Sequence, residues 1–514
     1  MSRACVRSGI RFHLSCLVFP DSQILTVQMP STYPGSGTQN ATTAIDSMAQ
    51  EGNTATGGLR RPRRVLVFPL PYQGHINPMF QLAGLLHARG FAITVFHAHL
   101  NAPDPSRHPA YHFVPVPDSL SAGCTDTADT AVMATINNIL SLNSSCEASF
   151  RERLAALLEA PGARDDVACL IADAHLLTLM EVARQQGVPT LALRTGSAAC
   201  FRVFMANPML CDKGYLPAQE SQLDAPVREL PPYRVRDLMA ISRNREEHDQ
   251  ICHLLSRAVE AVRTSSGFIL NTFDALEADE LATTRQDLGL PVFDTGPLHK
   301  ISPAASSSIL PQDRACLEWL DAQAPASVLY ISFGSLANMS GADLAEMAWG
   351  IANTGQPFLW VLRSDLVRGV ARVTLPDGFD AVTSDRGMIV DWAPQEEVLA
   401  HAAVGGFWTH AGWNSTLEGV CGGVPMLCRP YFGDQMGNAR YVELVWRAGL
   451  VLECELERGK VEQAIRRLMQ SEEGDRMRER AQKLKSRAAK AITDAGSSRL
   501  SVDKLVNHIL SLSK

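Results

Sequence analysis

The sequence predicts an α/β protein made of two doubly wound domains, and three observations lead to this prediction. Short apolar runs and glycines alternate as strand, loop and helix, which is the pattern of βαβ units. The chain has 514 residues and 46% of them are hydrophobic, which is enough to fill two sizeable cores. A segment rich in proline and serine, residues 296–308, interrupts the periodicity and is typical of a linker.

These features set the expected domain boundaries. We expect an N-terminal extension in residues 1–63, a first domain in 64–296, a linker in 297–312, a second domain in 313–494 and a final helix in 495–514. The extension is rich in Ser, Thr and Gly and carries arginines before its first acidic residue, so it loosely resembles a transit peptide. The alternative that we favour is a true start at Met48, and either interpretation predicts disorder.

Charge and cysteine usage exclude several classes of protein. A net charge of −7 and a pI of about 6.1 argue against a nucleic-acid partner, and no apolar run reaches the length of a membrane span. The 12 cysteines contain no C-x-x-C pair and no paired-ligand spacing. We therefore expect reduced thiols, no bound metal and a cytoplasmic location.

The first strand and its loop contain a candidate base. An apolar run at 65–68 leads into a loop with His75, and Asn77-Pro78 is expected to open the following helix. Asp173 follows the apolar run 167–172, so both side chains should emerge at the carboxyl edge of one sheet. A carboxylate on one ring nitrogen would let His75 accept a proton from a hydroxyl through the other. The plainer alternatives are a solvated loop histidine and a helix-capping aspartate.

A second group of polar residues follows two predicted strands near the C-terminal end. Residues 388–391 are expected to form a buried strand that places Trp392 at a carboxyl edge, where an indole can stack on a flat base. Residues 406–410 are expected to form the next strand, followed by a helix from Trp413. Its unpaired first-turn amides and its dipole suit a diphosphate, with further donors on His410, Asn414 and Ser415.

Three more residues complete this candidate pocket. Glu418 lies one turn beyond Ser415 and can accept hydrogen bonds from two ribose hydroxyls. Asp434 and Gln435 precede another helix and can do the same for a sugar. Each residue alone has a simpler interpretation as a cap or as packing.

Together these residues match a known signature. Trp392-Ala393-Pro-Gln395, His410-Ala-Gly-Trp413-Asn414-Ser415-Thr-Leu-Glu418 and Asp434-Gln435 fall in residues 392–435, in the order and spacing of the signature box of plant secondary-product glycosyltransferases. The sequence around His75 and residues 327–335 extend the resemblance to residues 64–514. The chain thus resembles inverting family 1 enzymes, which have the GT-B fold and use UDP-sugars.

The resemblance implies roles for the residues named above. His75 would be the catalytic base and Asp173 its orienting partner, in a single displacement that inverts the sugar from α to β. The donor would be bound by Trp392, Ala393, Gln395, His410, Trp413, Asn414, Ser415, Glu418, Asp434 and Gln435, with Thr195 near the sugar and Ser335 near the phosphates. No metal, and no cofactor besides the co-substrate, is implied, and the sequence has no Asp-x-Asp triplet. The final helix would pack back on the first domain of a monomer.

The sugar and the acceptor are predicted with unequal detail. Family members that end the box in glutamine, as at Gln435, usually take UDP-glucose. The resemblance implies a small apolar plant acceptor, a phenolic, hydroxamic acid, flavonoid or terpenoid, bound near Tyr72, Phe201 and Asn207. Two alternatives stay open: a catalytically silent UDP-sugar-binding protein, and the same chemistry with another donor such as UDP-galactose.

Overall fold

The computed structural model describes residues 62–118, 128–238, 245–303, 310–367, 373–453 and 455–512, with the side chains of 128–132 excepted. The predicted extension therefore lies almost wholly outside the described residues, as does the middle of the predicted linker. Thirteen strands are described: β1 Arg64–Phe68, β2 Ala92–His97, β3 His112–Pro115, β4 Val167–Asp173, β5 Thr190–Arg194, β6 Phe268–Leu270, β7 Val292–Asp294, β8 Val328–Ser332, β9 Phe358–Val361, β10 Gly387–Val390, β11 Val404–Thr409, β12 Met426–Cys428 and β13 Gly449–Val451.

Helices cover the strands and connect them. Those described are α1 Gln73–Ala88, α2 Ala128–Ser145, α3 Glu147–Glu159, α4 Ala163–Asp166, α5 Leu177–Gln185, α6 Ala198–Asp212, α7 Arg245–Arg263, α8 Asp274–Leu288, α9 Leu298–Ile301, α10 Ala315–Asp321, α11 Gly341–Thr354, α12 Phe379–Thr383, α13 Gln395–Ala400, α14 Trp413–Gly422, α15 Gln435–Arg440, α16 Arg458–Gln470, α17 Glu472–Ala491 and α18 Ser497–Ser511.

The strands form two sheets in which every neighbouring pair is parallel. The first has seven strands in the order β3-β2-β1-β4-β5-β6-β7, and the second has six in the order β10-β9-β8-β11-β12-β13. The order runs outward in both directions from one central pair in each sheet, which is the doubly wound arrangement. The predicted fold class is confirmed.

This topology determines where ligands can bind. Parallel sheets of this kind bind ligands beyond the carboxyl ends of the two strands where the winding reverses. In the first sheet those strands are β1 and β4, whose last paired residues are Phe68 and Ala172. In the second they are β8 and β11, which end at Ser332 and Thr409. His75 lies in the first turn of the helix that follows β1, and Asp173 is the last residue of β4. The segments that follow β8 and β11 contain Ser335 and His410.

The prediction that Asn77-Pro78 opens the first helix was wrong. Helix α1 begins at Gln73 and contains Pro78, so His75 lies in its first turn rather than in a loop. Proline has no backbone N–H, and the carbonyl of Gly74 four residues earlier therefore receives no bond from it. The Asn414 side-chain amide at the start of α14 donates to that carbonyl at 2.9 Å. The helix tolerates Pro78 because the second domain supplies the missing donor.

Residues 388–391 were predicted to form a buried strand, and the strand is present as β10, Gly387–Val390, but the prediction that it is buried was wrong. Strand β10 is the edge strand of the second sheet, where Met388 is half-buried and Ile389 is 37% exposed. An edge strand has one free side, so an apolar run there does not require full burial. Trp392 still follows the carboxyl end of this strand.

The two sheets share an apolar interface within one compact unit, Arg61–Lys514. One cluster of buried side chains includes residues from both halves, such as Phe201 and Trp446. The indole N–H of Trp446 donates to the Leu276 carbonyl at 3.3 Å, across that interface. Helix α18 packs on the first sheet, with Val502 and Leu505 in the cluster that contains β1.

Candidate active site

The carboxyl edges of the two sheets face each other across a cleft with a volume of about 640 Å³. That volume is within the range of sites for small ligands. All predicted site residues except Asp173 line this cleft. Asp173 lies behind His75 and is 1% exposed.

His75 and Asp173 form a hydrogen-bonded pair. The Nδ1 atom of His75 lies 2.6 Å from Oδ2 of Asp173, although 98 residues separate them in the sequence. The second oxygen, Oδ1, accepts from the backbone N–H of His175 at 3.0 Å and from its ring Nδ1 at 2.8 Å. Asp173 is thereby fixed on both sides, and the Nε2 atom of His75 is left for a substrate in the cleft.

The surroundings of Asp173 keep it ionised. Burial raises the pKa of this carboxyl, but the charge of His75 and the hydrogen bonds from His175 and His75 outweigh it and hold the pKa well below its usual range. Burial lowers the pKa of His175, although Asp173 opposes the shift. A neutral His175 that donates through Nδ1 can accept a hydrogen bond through its Nε2.

Arg194 supplies that hydrogen bond, and the sequence analysis did not assign this residue to the site. Its Nη1 atom lies 3.3 Å from Nε2 of His175, and its guanidinium lies 4.4 Å from the ring centre of Phe204. Arg194 lines the cleft and is 5% exposed, and its Nε has no hydrogen-bond partner among the described residues. Its position next to Thr195, at the carboxyl end of β5, is the signal that could have identified it.

The start of helix α14 forms the opposite wall. Its N-cap is Gly412, which provides no side chain to satisfy the first-turn amides. His410 precedes it, and burial, with a smaller contribution from the charge of Arg363, lowers its pKa to about 4. Its Nδ1 is buried without a partner among the described residues. Neutral donors and a helix dipole thus surround a space that suits an anion.

Close packing around His410 requires glycine at position 334. Gly334 has a φ of +66°, and a Cβ there would stand 2.6 Å from Cε1 of His410. The loop after β8 therefore lies directly against the loop after β11, which brings Ser335 into the same wall of the cleft.

Gln395 connects the residues at the other end of this wall. Its side-chain amide donates to Ser415 Oγ at 2.8 Å and to Glu418 Oε2 at 2.5 Å, while its oxygen accepts from the Tyr330 hydroxyl at 3.1 Å. Burial, followed by the charge of Glu396, raises the pKa of Glu418 to about 8. A carboxyl with this pKa is mostly protonated at neutral pH in the ligand-free protein.

The remaining predicted residues have distinct positions. The hydroxyl of Thr195 lies 3.1 Å from Nδ1 of His75, so it supports the histidine directly. The side-chain oxygen of Gln435 accepts from the backbone N–H of Tyr431 at 2.8 Å. Trp413 lines the cleft, but its indole N–H donates to the Asn271 carbonyl in the first domain at 2.8 Å. Its indole therefore joins the two domains.

The predicted acceptor residues need partial correction. Tyr72 lines the cleft as expected, whereas Phe201 is fully buried in the core because helix α6 turns that face toward β6. Asn207 is buried against Cys252. The apolar wall is instead formed by Ile136, Ile139, Ile251, Leu254 and Leu255 from helices α2 and α7.

Substitution of Trp392 tests whether its indole stacks on the base of a bound UDP. We expect Trp392→Ala to weaken UDP binding about tenfold, because stacking of a base on an aromatic ring contributes roughly 1–3 kcal/mol. Trp392→Phe should retain most of the affinity. Calorimetric titration with UDP measures both. Trp349, which is half-buried against Phe379 outside the cleft, provides the control substitution. Equal UDP affinity in Trp392→Ala and wild type would contradict a stacking role.

Comparison with known proteins agrees with this geometry. Residues 63–484 match the model of the family described as UDP-glucoronosyl and UDP-glucosyl transferase. The chain is 49% identical to the DIMBOA UDP-glucosyltransferase BX8 of Zea mays over 86% of this chain and 98% of that protein. It is 42% identical to the UDP-glycosyltransferase 76C4 of Arabidopsis thaliana, over 87% and 98%.

A solved structure shows the same architecture. The UGT2 of Phytolacca americana, complexed with UDP-2fluoro-glucose and pterostilbene, matches with a TM-score of 0.74 and 27% identity, over 87% of this chain and 100% of that one. The chain belongs to the UDP-glucuronosyl and UDP-glucosyl transferase family, and its two facing parallel sheets have the GT-B arrangement expected from the sequence. Among the helices in the described part of the chain, none is long and apolar enough to cross a bilayer.

Proposed function

We propose that this enzyme transfers glucose from UDP-glucose to an acidic hydroxyl of a small apolar plant metabolite and releases a β-glucoside. The observation that supports this most strongly is the position of the His75–Asp173 pair directly across the cleft from the start of helix α14. A displacement at a sugar carbon linked to phosphate requires a base on one side of that carbon and a group that binds the leaving anion on the other. The His75–Asp173 pair and the start of α14 fit these two requirements.

In the proposed reaction, the acceptor hydroxyl gives its proton to Nε2 of His75 as its oxygen bonds to the anomeric carbon. The bond from that carbon to the UDP oxygen breaks, and its electron pair leaves with UDP. Asp173 stabilises the imidazolium through the 2.6 Å contact with Nδ1. The helix start, with His410 and Ser415 as donors, stabilises the charge that develops on UDP.

In this proposal, groups along the carboxyl edge of the second sheet bind the UDP-sugar. Trp392 would stack on uracil and Glu418 would accept from the ribose hydroxyls. Asp434 and Gln435 would contact the sugar, and the glutamine favours glucose by resemblance. Burial raises the pKa of the Asp434 carboxyl, which Arg194 partly opposes. The proposal needs no metal at the reacting carbon, and UDP-glucose is the only co-substrate. We place the enzyme in the cytosol as a monomer.

Arg194 supports an acidic acceptor. A buried guanidinium with an unpartnered Nε costs free energy unless a ligand contacts it. A phenol or a hydroxamic acid develops negative charge on oxygen as His75 removes its proton, and Arg194 stands beside His175 in the same wall. The 49% identical maize protein is described as acting on DIMBOA, which is consistent with an acceptor of this kind.

We therefore expect Arg194→Gln to lower kcat/KM for phenolic and hydroxamic acceptors about tenfold more than for a terpenoid alcohol, since a hydrogen bond to a charged group contributes about 1.5–3 kcal/mol. The ratio between acceptors is the measurement, because any effect on donor binding cancels in it. Arg151, which pairs with Glu147 on the surface of α3, provides the control substitution. A uniform loss with all acceptors would assign Arg194 a structural role only.

The direct test offers purified protein UDP-glucose, UDP-galactose and UDP-glucuronate separately, with phenolic, hydroxamic and terpenoid acceptors and no added divalent metal. Mass spectrometry of the products should detect hexosides from UDP-glucose, in the β configuration by nuclear magnetic resonance. Hexosides from UDP-galactose alone would overturn the choice of sugar. UDP-glucose binding without product or hydrolysis would favour the silent binding protein.

A further inference from the structure

Two helices of the first domain bring together a set of side chains that the transfer reaction does not use. Cys211 lies near the end of α6, and His248 and Cys252 lie on successive turns of α7. The candidate ligand atoms of all three lie within 4.8 Å of one another. Cys211 and His248 are separated by 37 residues, so their proximity is a product of the fold.

The distances fit a tetrahedral metal ion. Sγ of Cys252 lies 3.3 Å from Nε2 of His248, and Sγ of Cys211 lies 3.9 Å from the same nitrogen. A zinc ion with bonds of roughly 2.3 Å to sulfur and 2.0 Å to nitrogen at a tetrahedral angle would separate these atoms by about 3.5 Å. The observed distances lie on either side of that value, so small side-chain rotations would accommodate the ion.

The surroundings also favour a cation. His248 is 5% exposed and both cysteines are partly exposed, so the cluster is protected from solvent and still reachable by an ion. Asp212 and Asp249 directly follow Cys211 and His248 in the sequence, and negative charge close to the cluster attracts a divalent cation.

A fourth ligand position is available on α6. Asn207 lies one turn before Cys211, is 7% exposed, and its Oδ1 lies 3.7 Å from Sγ of Cys252. Each helix thus contributes two residues four positions apart, which places both on one face. The Asn207 oxygen or a water would complete the tetrahedron.

We propose that Cys211, His248 and Cys252 bind one ion of the Zn²⁺ class and cross-link α6 to α7. Thiolate and imidazole ligands select zinc over magnesium or calcium, and both thiols release a proton when the ion binds. On another side of α7, Ile251, Leu254 and Leu255 line the cleft. The ion would therefore hold the apolar wall of the cleft in place from behind.

Cobalt is the probe for this site, since Co²⁺ takes the same ligands and absorbs visible light. We expect the full-length reduced protein, freed of metal, to bind one equivalent of Co²⁺ with a thiolate-to-cobalt charge-transfer band and tetrahedral ligand-field bands, and Zn²⁺ to displace it. Cys211→Ser and Cys252→Ser should each lose the charge-transfer intensity of one thiolate. His248→Gln should weaken binding at least tenfold.

Controls separate this site from the rest of the chain. Cys316→Ser changes a buried thiol in the second domain and should leave the cobalt spectrum unchanged. A second cluster that could hold a metal ion consists of His75, Asp173 and His175. The variant His75→Ala shows whether this cluster contributes to the cobalt spectrum. UDP binding verifies that each variant is folded. Absence of a charge-transfer band, or its persistence in both Cys211→Ser and Cys252→Ser, would overturn the proposal whatever the enzyme's donor or acceptor.

Discussion

Replacement of His75 by alanine is expected to lower kcat by about 10³ while UDP binding stays nearly unchanged, since a positioned general base contributes roughly 10²–10⁴ in rate. The reason lies in the geometry of the cleft. His75 belongs to the first domain, whereas the residues proposed to bind UDP belong to the second. Loss of the imidazole therefore removes the proton acceptor and leaves the nucleotide pocket complete. Steady-state kinetics with a weakly acidic hydroxyl and calorimetry with UDP measure the two quantities.

The control for this substitution is on the same helix. His87 is exposed near the end of α1 and contacts the Phe91 carbonyl at 3.2 Å, so His87→Ala should retain full turnover. A substitution of Asp173 separates the roles of the two residues further. Asp173→Asn keeps the imidazole but removes the charge that stabilises its protonated form, and it should also lower kcat strongly. Unchanged turnover in His75→Ala would exclude this histidine as the base.

The second large effect concerns Glu418 and pH. Without a ligand, burial and the charge of Glu396 raise the pKa of Glu418 to about 8, so the carboxyl is mostly protonated at pH 7. If the ribose hydroxyls donate to the carboxylate, binding favours the ionised form and releases a proton. We therefore expect UDP affinity to rise about tenfold from pH 7 to pH 9, since one pKa unit corresponds to a factor of ten in population.

The variant Glu418→Gln should remove this pH dependence and bind UDP about tenfold more weakly at pH 9, because hydrogen bonds to a charged acceptor are stronger than neutral ones by roughly 1 kcal/mol or more. Calorimetric titrations at pH 7, 8 and 9 give both results. Glu397, which is exposed on α13 and paired with Arg314, provides the matched substitution. A wild-type affinity that does not change over this pH range would exclude a ribose-binding carboxylate at Glu418.

Glu418 should also make the stability of the ligand-free protein depend on pH. This stability should fall as the pH rises, whereas the UDP affinity should increase. The folded pKa of the Glu418 carboxyl, about 8, exceeds the value of about 4.3 expected in an unfolded chain. The folded state thus binds more protons between these values, and its stability falls as pH rises through that range. Glu418→Gln lacks this loss, so its Tm relative to wild type should rise from pH 6 to pH 8. Burial also raises the pKa of Glu277 to about 7, but its contribution is common to both proteins and cancels.

The sequence predicted best those residues that are brought together because they follow the carboxyl ends of neighbouring strands. Because parallel strands align their carboxyl ends, the positions after 68, 172 and 409 were sufficient to bring His75, Asp173 and His410 to the cleft. The signature box then predicted which residues line the second wall. These predictions needed only local periodicity and a short, contiguous motif.

Other features depend on packing between distant segments, which periodicity does not report. Arg194 directly precedes the predicted site residue Thr195, but only the fold shows that it contacts His175. The cysteines were interpreted as reduced thiols because their spacing contains no C-x-x-C pair, whereas Cys211 and Cys252 approach each other only through the packing of α6 on α7. The start of α1 was misplaced because a proline usually opens a helix, and the donor that permits Pro78 inside this one comes from a residue 340 positions from Gly74.

That last contact links the two halves of the enzyme at the reacting centre. Asn414 stands beside the proposed phosphate site and holds the carbonyl of Gly74, the residue directly before the proposed base. Through this contact, a shift of the α14 start as the nucleotide enters or leaves would move the first turn of α1. Water is a competing nucleophile whenever a donor sugar is bound. If the alignment of His75 depends on the Asn414–Gly74 contact, the base would be misaligned when the cleft is open and filled with water. Pro78 keeps the Gly74 carbonyl available for this contact.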